Sequence, residues 1–289
     1  MISDFRSNRV YFSAKMLFLC PVTFKGLTET LNYHNVEWHL LEGTNDIWCR
    51  DYMPIQITED VFAGYRYYPD YLLKSKKYIQ SITDGVSLSE NMGFNLDNQL
   101  IDIIIDGGNI VKCDDKIIMT SKVFEENPSY TVTKLSSIIE NAMEAELIVV
   151  PWDVHEYFGH SDGICRYTGK DTLLLTSYRE IDSRMTDRFL KCLKPHFREV
   201  NEIHFSKKTV HPYRWAYINW LQVENLIILP SFGIEEDEEA LIQIKEYMPG
   251  YKNHIEQVPA TDLIIHEGCF NCASWTIFTK DKALSPICI

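Results

Sequence analysis

The chain has 289 residues, of which 45% are hydrophobic and 24% charged, with a formal net charge of −13 and a pI of about 5.1. These values are ordinary for a globular protein that can bury a large core, and the acidic balance argues against a nucleic-acid partner, because binding a polyanion requires a basic surface. The negative charge suits a small cationic substrate, although an acidic surface also aids solubility.

Short apolar runs with the character of strands alternate along the chain with amphipathic helical patterns. Strands are predicted, in chain order, at residues 15–21, 36–41, 55–57, 101–105, 116–120, 147–150, 172–175, 226–230 and 262–265. Helices are predicted at residues 23–34, 132–142, 183–193 and 236–247. The alternation has no obvious linker and predicts a single α/β domain over residues 1–289, in which the polar stretch 70–98 is the best candidate for a long excursion or lid.

The eight cysteines lack the spacing of a small disulfide-rich domain, so we predict mostly reduced thiols in a reducing compartment. The N-terminal region lacks the usual pattern of a signal peptide. No stretch approaches the ~20 apolar residues of a membrane helix. We therefore expect a cytoplasmic protein without a membrane partner.

Charged and aromatic side chains are densest in the segment 45–54, which is poorly helical in composition and ends in proline. A carboxylate accepts two parallel N–H bonds from a guanidinium, so Asp51 is a candidate ligand for such a cation. A salt bridge to the neighbouring Arg50 is the alternative. Trp48 offers a flat face to a delocalised cation, or it is an ordinary half-buried core residue.

Two further acidic motifs follow, Asp-Gly-Gly-Asn at 106–109 and His-Ser-Asp at 160–162. Asp106 comes directly after a predicted strand, where a buried acid needs a partner such as a histidine; a simple turn acid is the alternative. In an extended strand, residues two apart point to the same face. His160 and Asp162 are therefore predicted to line one pocket, His160 carrying protons and Asp162 holding a second edge of a guanidinium, with a structural histidine as the competing interpretation.

The C-terminal cysteines allow three interpretations. The spacing His266-x-x-Cys269-x-x-Cys272 suits a metal ligand set, but a structural zinc needs four ligands and no second Cys-x-x-Cys exists in the sequence. A redox dithiol lacks its usual strand-to-helix setting. Otherwise either cysteine can be a nucleophile. Asn219, between these motifs, can bind a substrate or a loop, or be a plain turn residue.

Taken in order, these segments resemble agmatine deiminase and the Porphyromonas-type peptidylarginine deiminases of the guanidino-group-modifying superfamily. The resemblance extends from about Asn45 to Cys272. It rests on the segment 45–54, the motifs at 106–109 and 160–162, Tyr-Ile-Asn at 217–219, Leu-Pro-Ser-Phe-Gly at 229–233 and the C-terminal cysteine. It implies the pentein fold, an α/β-propeller of five ββαβ-like modules with pseudo-fivefold symmetry.

The resemblance also implies a role for each motif. Its nucleophilic cysteine falls on Cys272 rather than Cys269, its general acid and base on His160, and the acid supporting that histidine on Asp106. The guanidinium-binding carboxylates fall on Asp51 and Asp162.

On the substrate side of the site, the family's asparagine falls on Asn219. Trp48 is predicted to contribute its ring to the same subsite. No metal or organic cofactor is implied. The residues beside the cysteine and the Tyr52-Met53 pair differ from the usual agmatine enzymes, so agmatine, arginine, a methylarginine and peptidylarginine all remain candidate substrates.

The implied reaction is hydrolytic deimination of a small cationic guanidino compound through a covalent thiouronium intermediate, giving a ureido product and ammonia. Amidino transfer and methylarginine hydrolysis would use the same residues. A non-catalytic guanidinium-binding protein and a zinc-stabilised structural domain are the alternatives from other classes. The interpretation allows a homodimer.

Overall fold

The structure is a computed structural model that describes residues 1–207 and 211–280. Within these ranges the chain forms five three-stranded sheets. The strands are β1 (Arg9–Ser13), β2 (Glu37–Leu41), β3 (Ile55–Gln56), β4 (Phe62–Arg66), β5 (Leu96–Ile104), β6 (Val111–Cys113), β7 (Lys116–Thr120), β8 (Glu146–Val150), β9 (Cys165–Gly169), β10 (Thr172–Leu175), β11 (Glu199–Glu202), β12 (Leu221–Val223), β13 (Leu226–Ser231), β14 (Ile255–Pro259) and β15 (Ser274–Ile277).

Helices occupy several of the connections, together with short 3₁₀ turns. The α-helices are α1 (Met16–Leu19), α2 (Pro21–Tyr33), α3 (Cys49–Tyr52), α4 (Lys76–Ile79), α5 (Gly85–Asn91), α6 (Lys122–Glu126), α7 (Val132–Met143), α8 (Ser183–Leu193) and α9 (Glu236–Tyr247). All four predicted helices are confirmed, as α2, α7, α8 and α9.

The five sheets share one connectivity. Their strand orders are β15-β1-β2, β3-β4-β5, β6-β7-β8, β9-β10-β11 and β12-β13-β14. In each sheet the middle strand is antiparallel to the first strand and parallel to the third. A parallel pair needs a crossover, and helices lie between the middle and third strands of every sheet. The predicted fold of five ββαβ modules is confirmed.

The first module is completed from the other end of the sequence. Strand β15 pairs antiparallel with β1, in a register that places Arg9 opposite Ile277 and Phe12 opposite Ser274. The N-terminal and C-terminal parts of the described chain therefore share a sheet.

Helix α7 shows how the sequence sets an element. The side chain of Thr131 accepts a hydrogen bond from the third N–H of the helix, which caps its N-terminus. Leu135, Ile139 and Met143 recur at four-residue spacing and are fully buried. Glu144, in the left-handed conformation with φ 51°, ends the helix.

The middle strand of each sheet is largely buried, because the crossover that follows it packs over the sheet. β1 is buried along its whole length and β13 along all but its last residue. This explains why apolar runs in the sequence predicted β7, β10 and β13. Trp220 is completely buried and Trp215 packs against the same core cluster, as expected of packing residues.

Two strand predictions are wrong. Residues 16–19 form α1 instead, whose Leu17, Phe18 and Leu19 side chains are exposed rather than core-forming. Residues 262–265 lead into a 3₁₀ turn, Ile264–His266, which ends at Glu267 in the left-handed conformation. Both runs are apolar, and apolar content alone does not separate a strand from a short helical turn.

The polar stretch 70–98 is the crossover of the second module. It contains the 3₁₀ turn Asp70–Lys74, α4, α5 and the first residues of β5. The predicted strand at 101–105 is the end of β5, which is much longer than predicted.

No helix in residues 1–207 and 211–280 is long and apolar enough to cross a membrane. The seven cysteines in these ranges are free thiols. The eighth, Cys288, lies outside the described residues.

Candidate active site

The five connections between successive modules meet at the candidate site, and each contributes to it. These contributions are Asp51 between β2 and β3, Asp106 between β5 and β6, His160 and Asp162 between β8 and β9, Asn219 between β11 and β12, and Cys272 between β14 and β15. The structure thus brings together residues that are more than 200 positions apart in the sequence.

Local structure at three of these positions differs from the sequence prediction. Asp51 lies on the short helix α3 rather than on an irregular loop. His160 precedes the 3₁₀ turn Ser161–Gly163 and Asp162 lies within it, so the extended-strand prediction is wrong there. Cys272 follows a 3₁₀ turn and not a strand. The placement of Asp106 directly after a strand is confirmed.

The imidazole of His160 lies between two carboxylates. Its Nε2 is 3.0 Å from Asp106 Oδ2, and its Nδ1 is 3.8 Å from Asp51 Oδ1. Burial opposes the charged form of His160, but the charges of Asp51 and Asp106 and the hydrogen bond to Asp106 outweigh burial and raise its pKa to about 10. His160 is therefore an imidazolium at neutral pH.

Burial dominates the ionisation of Asp51. It raises the pKa of this carboxyl to about 7, with His160 opposing the shift and Asp106 and Asp162 adding to it. The backbone N–H of Gly108 donates to Asp51 Oδ1 at 3.1 Å. A cationic ligand at this carboxylate would offset the burial and hold Asp51 ionised.

Glycines at 107 and 108 allow this packing. A Cβ atom on Gly108 would lie 2.5 Å from His160 Nδ1 and 2.7 Å from Asp51 Oδ1. On Gly107 it would lie 1.9 Å from the Arg50 carbonyl oxygen. The two glycines therefore give the site side chains the space to meet.

Cys272 lies against the second carboxylate of the site. Its Sγ is 3.5 Å from Asp162 Oδ2, and its backbone N–H donates to Asn219 Oδ1 at 3.2 Å. Burial raises the pKa of Cys272 well above the usual range, and the charges of Asp162 and Asp51 raise it further. The thiol is thus protonated before a cation enters.

Cys269 has a different environment. It is completely buried in the largest hydrophobic cluster, and burial raises its pKa too. His266 is exposed. Among the described residues, no three His, Cys, Asp or Glu side chains are grouped so as to hold a metal ion.

The side chains of Arg50 and Trp48 are directed to groups other than the Asp51 carboxylate. Arg50 directs its guanidinium to the Asn271 carbonyl at 3.3 Å and to Thr276 Oγ1 at 3.4 Å. Trp48 is half-buried, and its ring packs so closely on Gly268 that a Cβ there would lie 2.2 Å from the ring. Its role as a platform for a cation stays a prediction.

The start of the stretch 70–98 is fastened to the loop that carries His160. Lys122 Nζ pairs with Asp70 Oδ1 at 3.0 Å and donates to the Phe158 carbonyl at 2.9 Å. The ring centroids of Tyr71 and Phe158 lie 6.2 and 5.8 Å from that of His160. Tyr71, from this stretch, and Phe158, from the loop, therefore lie beside the imidazole. A lid movement of the rest of the stretch stays a prediction.

Sequence reasoning missed two buried polar residues of the site, Asn271 and Arg166. Asn271 Nδ2 donates to Asp162 Oδ2 at 2.7 Å, and Arg166 donates to Asn271 Oδ1 at 2.7 Å. The available signal was the position of Asn271 directly before Cys272, whereas nothing beside Arg166 in the sequence marks it.

Several solved structures have a similar fold. An agmatine deiminase variant from C. jejuni with substrate bound has a TM-score of 0.71 and 15% identity, over 96% of each chain. An agmatine deiminase of Enterococcus faecalis has a TM-score of 0.67 and 14% identity, over 97% of this chain and 96% of that one. DDAH from Pseudomonas aeruginosa complexed with citrulline has a TM-score of 0.60 and 13% identity, over 94% and 99%. At such identities the likeness shows the fold alone, that of the pentein proteins.

A comparison of the sequence with protein-family profiles identifies the family. The profile of the Porphyromonas-type peptidyl-arginine deiminase family matches residues 13–277, and the chain belongs to that family. No curated protein matches the sequence. The family predicted from the ordered motifs is confirmed.

Proposed function

We propose that the protein is a hydrolase that deiminates a small cationic guanidino compound, with Cys272 as nucleophile. The observation that carries the proposal is that one imidazole and one thiol are each held against carboxylates of the same buried cluster. The charged imidazole of His160 is held by Asp51 and Asp106, and the thiol of Cys272 rests on Asp162. Membership of a deiminase family supports the reaction class.

Binding places the substrate carbon in front of the thiol. Asp51 and Asp162 are separate carboxylates, each able to accept N–H bonds from one edge of a guanidinium. The positive charge of the bound substrate counters the field of these carboxylates, which otherwise keeps Cys272 protonated. Substrate binding thereby favours loss of the thiol proton to solvent, where the ammonia product later takes one up, and formation of the thiolate.

In the first half-reaction the thiolate of Cys272 attacks the guanidinium carbon and forms a tetrahedral adduct. The adduct collapses by breaking one C–N bond, and the imidazolium of His160 supplies the proton that the leaving nitrogen needs to depart as ammonia. A positively charged thiouronium linked to Cys272 remains, and His160 is left neutral.

In the second half-reaction the neutral His160 accepts a proton from water, and the resulting hydroxide attacks the thiouronium carbon. Collapse of this adduct breaks the C–S bond and releases a ureido product, while the proton of the hydroxyl group passes to the sulfur, so that Cys272 returns to the thiol. Asp106 orients His160 through its hydrogen bond to Nε2 and favours the imidazolium. No step requires a cofactor.

The choice of substrate is tested by ammonia release from purified protein incubated with agmatine, arginine, methylarginines, guanidino acids and an arginine peptide. We expect ammonia with at least one compound and none from Cys272→Ala. The matched control is Cys269→Ala, which removes the neighbouring buried thiol. Saturable binding of a guanidino compound without ammonia release would contradict the proposal and favour a transferase or a binding protein.

A further inference from the structure

Beneath the candidate site, a buried chain of polar groups runs from the N-terminal segment to Asp162. It connects Asp4, Arg166, Asn271 and Asp162, all at most 5% exposed except the partly buried Asp4. The groups surround a small cavity, which is also lined by residues of β6, β9 and β12. Nothing in the reaction scheme uses the first three of these residues.

The side-chain amide of Asn271 forms the central link. Its Nδ2 donates to Asp162 Oδ2 at 2.7 Å, and its Oδ1 accepts from Arg166 at 2.7 Å. Its backbone is also held, because its N–H donates to the Asn219 carbonyl at 3.0 Å and its carbonyl accepts from Arg50 at 3.3 Å. Asn271 is thus fixed at both its backbone and its side chain, directly before Cys272.

Arg166 determines which way this amide points. A guanidinium has only donors, so the atom of Asn271 that faces it must be the oxygen. The nitrogen then faces Asp162 and can donate to it. If the amide turned over, its N–H₂ group would meet the guanidinium and its oxygen would meet the carboxylate, and both hydrogen bonds would be lost.

Asp4 holds Arg166 in place from the far side. Arg166 pairs with Asp4 Oδ2 at 3.0 Å, and its guanidinium carbon lies 5.3 Å from the centre of the Trp220 ring. Lys112 pairs with the other oxygen of Asp4 at 2.6 Å. A buried arginine that is paired and packed on three sides has little freedom to follow a moving partner.

The result at the site is a carboxylate held through one oxygen. Asp162 Oδ2 accepts from Asn271 and also from Asn219 Nδ2, at 3.1 Å. Two amide donors on one oxygen restrict the rotation of the carboxylate. The second oxygen then remains available to the guanidinium that the proposed function places there.

We infer that Arg166 and Asn271 are positioning residues for Asp162: Arg166 sets the orientation of the Asn271 amide, and the amide sets the carboxylate that holds the substrate beside Cys272. The inference rests on the proposed function. It assigns neither residue a bond to the substrate.

The test is a double-mutant cycle on kcat/KM, with the substrate identified in the ammonia assay. Asn271→Ala removes both hydrogen bonds of the amide, and Arg166→Met removes its orienting partner. Loss of a buried hydrogen bond to a charged group predicts a fall of about 10- to 100-fold for each single variant. Because Arg166 acts through Asn271, the double variant should fall no further than the worse single variant.

Two additional variants keep the test decisive. Arg166→Lys retains a charge and a donor without the planar fork, so it should recover part of the activity that is lost in Arg166→Met. Gln56→Leu alters a buried side-chain amide outside this cavity, which donates to the carbonyls of Glu59 and Phe278, and its kcat/KM should match the wild type within about twofold.

Binding separates positioning from general damage. Calorimetry in the Cys272→Ala background, where no turnover occurs, measures the Kd of the same guanidino compound. Asn271→Ala and Arg166→Met should each raise this Kd, by factors that are similar to each other. Additive losses in the cycle, or wild-type kcat/KM in Asn271→Ala, would overturn the positioning role while leaving the deiminase intact. A wild-type protein that releases no ammonia from any compound would overturn the proposed function, and this inference with it.

Discussion

At the scale of single residues, the site is a balance between burial and opposite charge. Burial alone would neutralise His160, yet the carboxylates of Asp51 and Asp106 raise its pKa to about 10. Burial raises the pKa of Asp51 to about 7, the charges of Asp106 and Asp162 add to the shift, and the imidazolium of His160 opposes it only in part. A guanidinium is the type of ligand that would offset both the burial and the repulsion between these acids.

The raised pKa of His160 predicts how stability depends on pH. Its folded pKa of about 10 exceeds the ordinary value of 6.5. A group raised in this way stabilises the folded state fully below its unfolded pKa, and the contribution is lost as pH rises through the folded pKa. The free energy of unfolding should therefore fall between pH 6.5 and 10, by at most about 1.4 kcal/mol per pH unit from this group.

Urea unfolding at several pH values from 7.5 to 9.5 measures this slope, above the pKa of Asp51. His160→Gln should have a shallower slope than the wild type, and substitution of the exposed His155 by Gln should leave the slope unchanged. Equal slopes in all three proteins would show that His160 is not held as an imidazolium.

The sequence pointed more readily to the residues that we propose as catalytic or substrate-binding than to those that we propose as positioning residues. Asp51, Asp106, His160 and Cys272 stand in short motifs with glycine, proline or a second acid beside them. Asn271 stands in the same motif as Cys272 and Arg166 stands in none, but neither position reveals its hydrogen-bond partner, because the partners come from other modules. A hydrogen bond between residues 105 positions apart follows only from the assembled fold.

At the scale of elements, the connections between modules are short turns whose backbone approaches the site side chains closely. Gly108 is the clearest case, since an added Cβ would meet both His160 and Asp51. Gly108→Ala should displace one of them and lower kcat/KM by about 100-fold, the effect expected of a misplacement near 1 Å. The steady-state assay of ammonia release measures this change.

Gly250→Ala is the matched control for that substitution. A Cβ atom on Gly250 would meet nothing within 4 Å, so its activity and stability should stay close to the wild type. Full activity in Gly108→Ala would mean that the site does not depend on the close approach of the turn at 107–109.

Elements also show where sequence patterns mislead. Runs within covered strands, such as β7 and β13, were predicted correctly because both faces are buried. The run at 15–21 is equally apolar but forms α1, followed at once by Pro21 in the first turn of α2. Strand β1 was missed because Arg9 and Ser13 stand at its two ends and leave an apolar run of only three residues, although both side chains are buried.

At the scale of the whole molecule, the sheet formed by β15 and β1 joins the first module to both ends of the described chain. Trp275 on β15 packs on Tyr11 of β1, with ring centroids 5.1 Å apart, and on Phe62 of β4 at 5.8 Å. Its Nε1–H donates to the Pro54 carbonyl at 2.8 Å. We propose that residues 1–289 behave as a single domain, in which this tryptophan links two modules.

Trp275→Ala tests that proposal. Removal of a fully buried indole should lower the free energy of unfolding by about 3–5 kcal/mol. Because the modules share their cores, the loss should shift one cooperative transition in urea rather than create a second one. Phe18→Ala, at a side chain that is 84% exposed, is the control and should leave the transition in place. Separate transitions for separate modules would contradict a single domain.

The fivefold arrangement explains why the sequence predicted the fold and not its details. Each module contributes one short motif at the same place in its connectivity, so the order of motifs along the chain was sufficient to indicate the architecture. Which side chains then meet across the five connections depends on packing between modules.

The most direct test of the central claim is to trap the intermediate on the enzyme. Wild-type protein would be mixed with the substrate found in the ammonia assay, quenched in acid during turnover and analysed by mass spectrometry of its peptides. The mechanism predicts an adduct with the mass of the substrate less ammonia on Cys272. The adduct should persist in Cys269→Ala and disappear in Cys272→Ala. Turnover in Cys272→Ala, or an adduct on another residue, would contradict the assignment of the nucleophile.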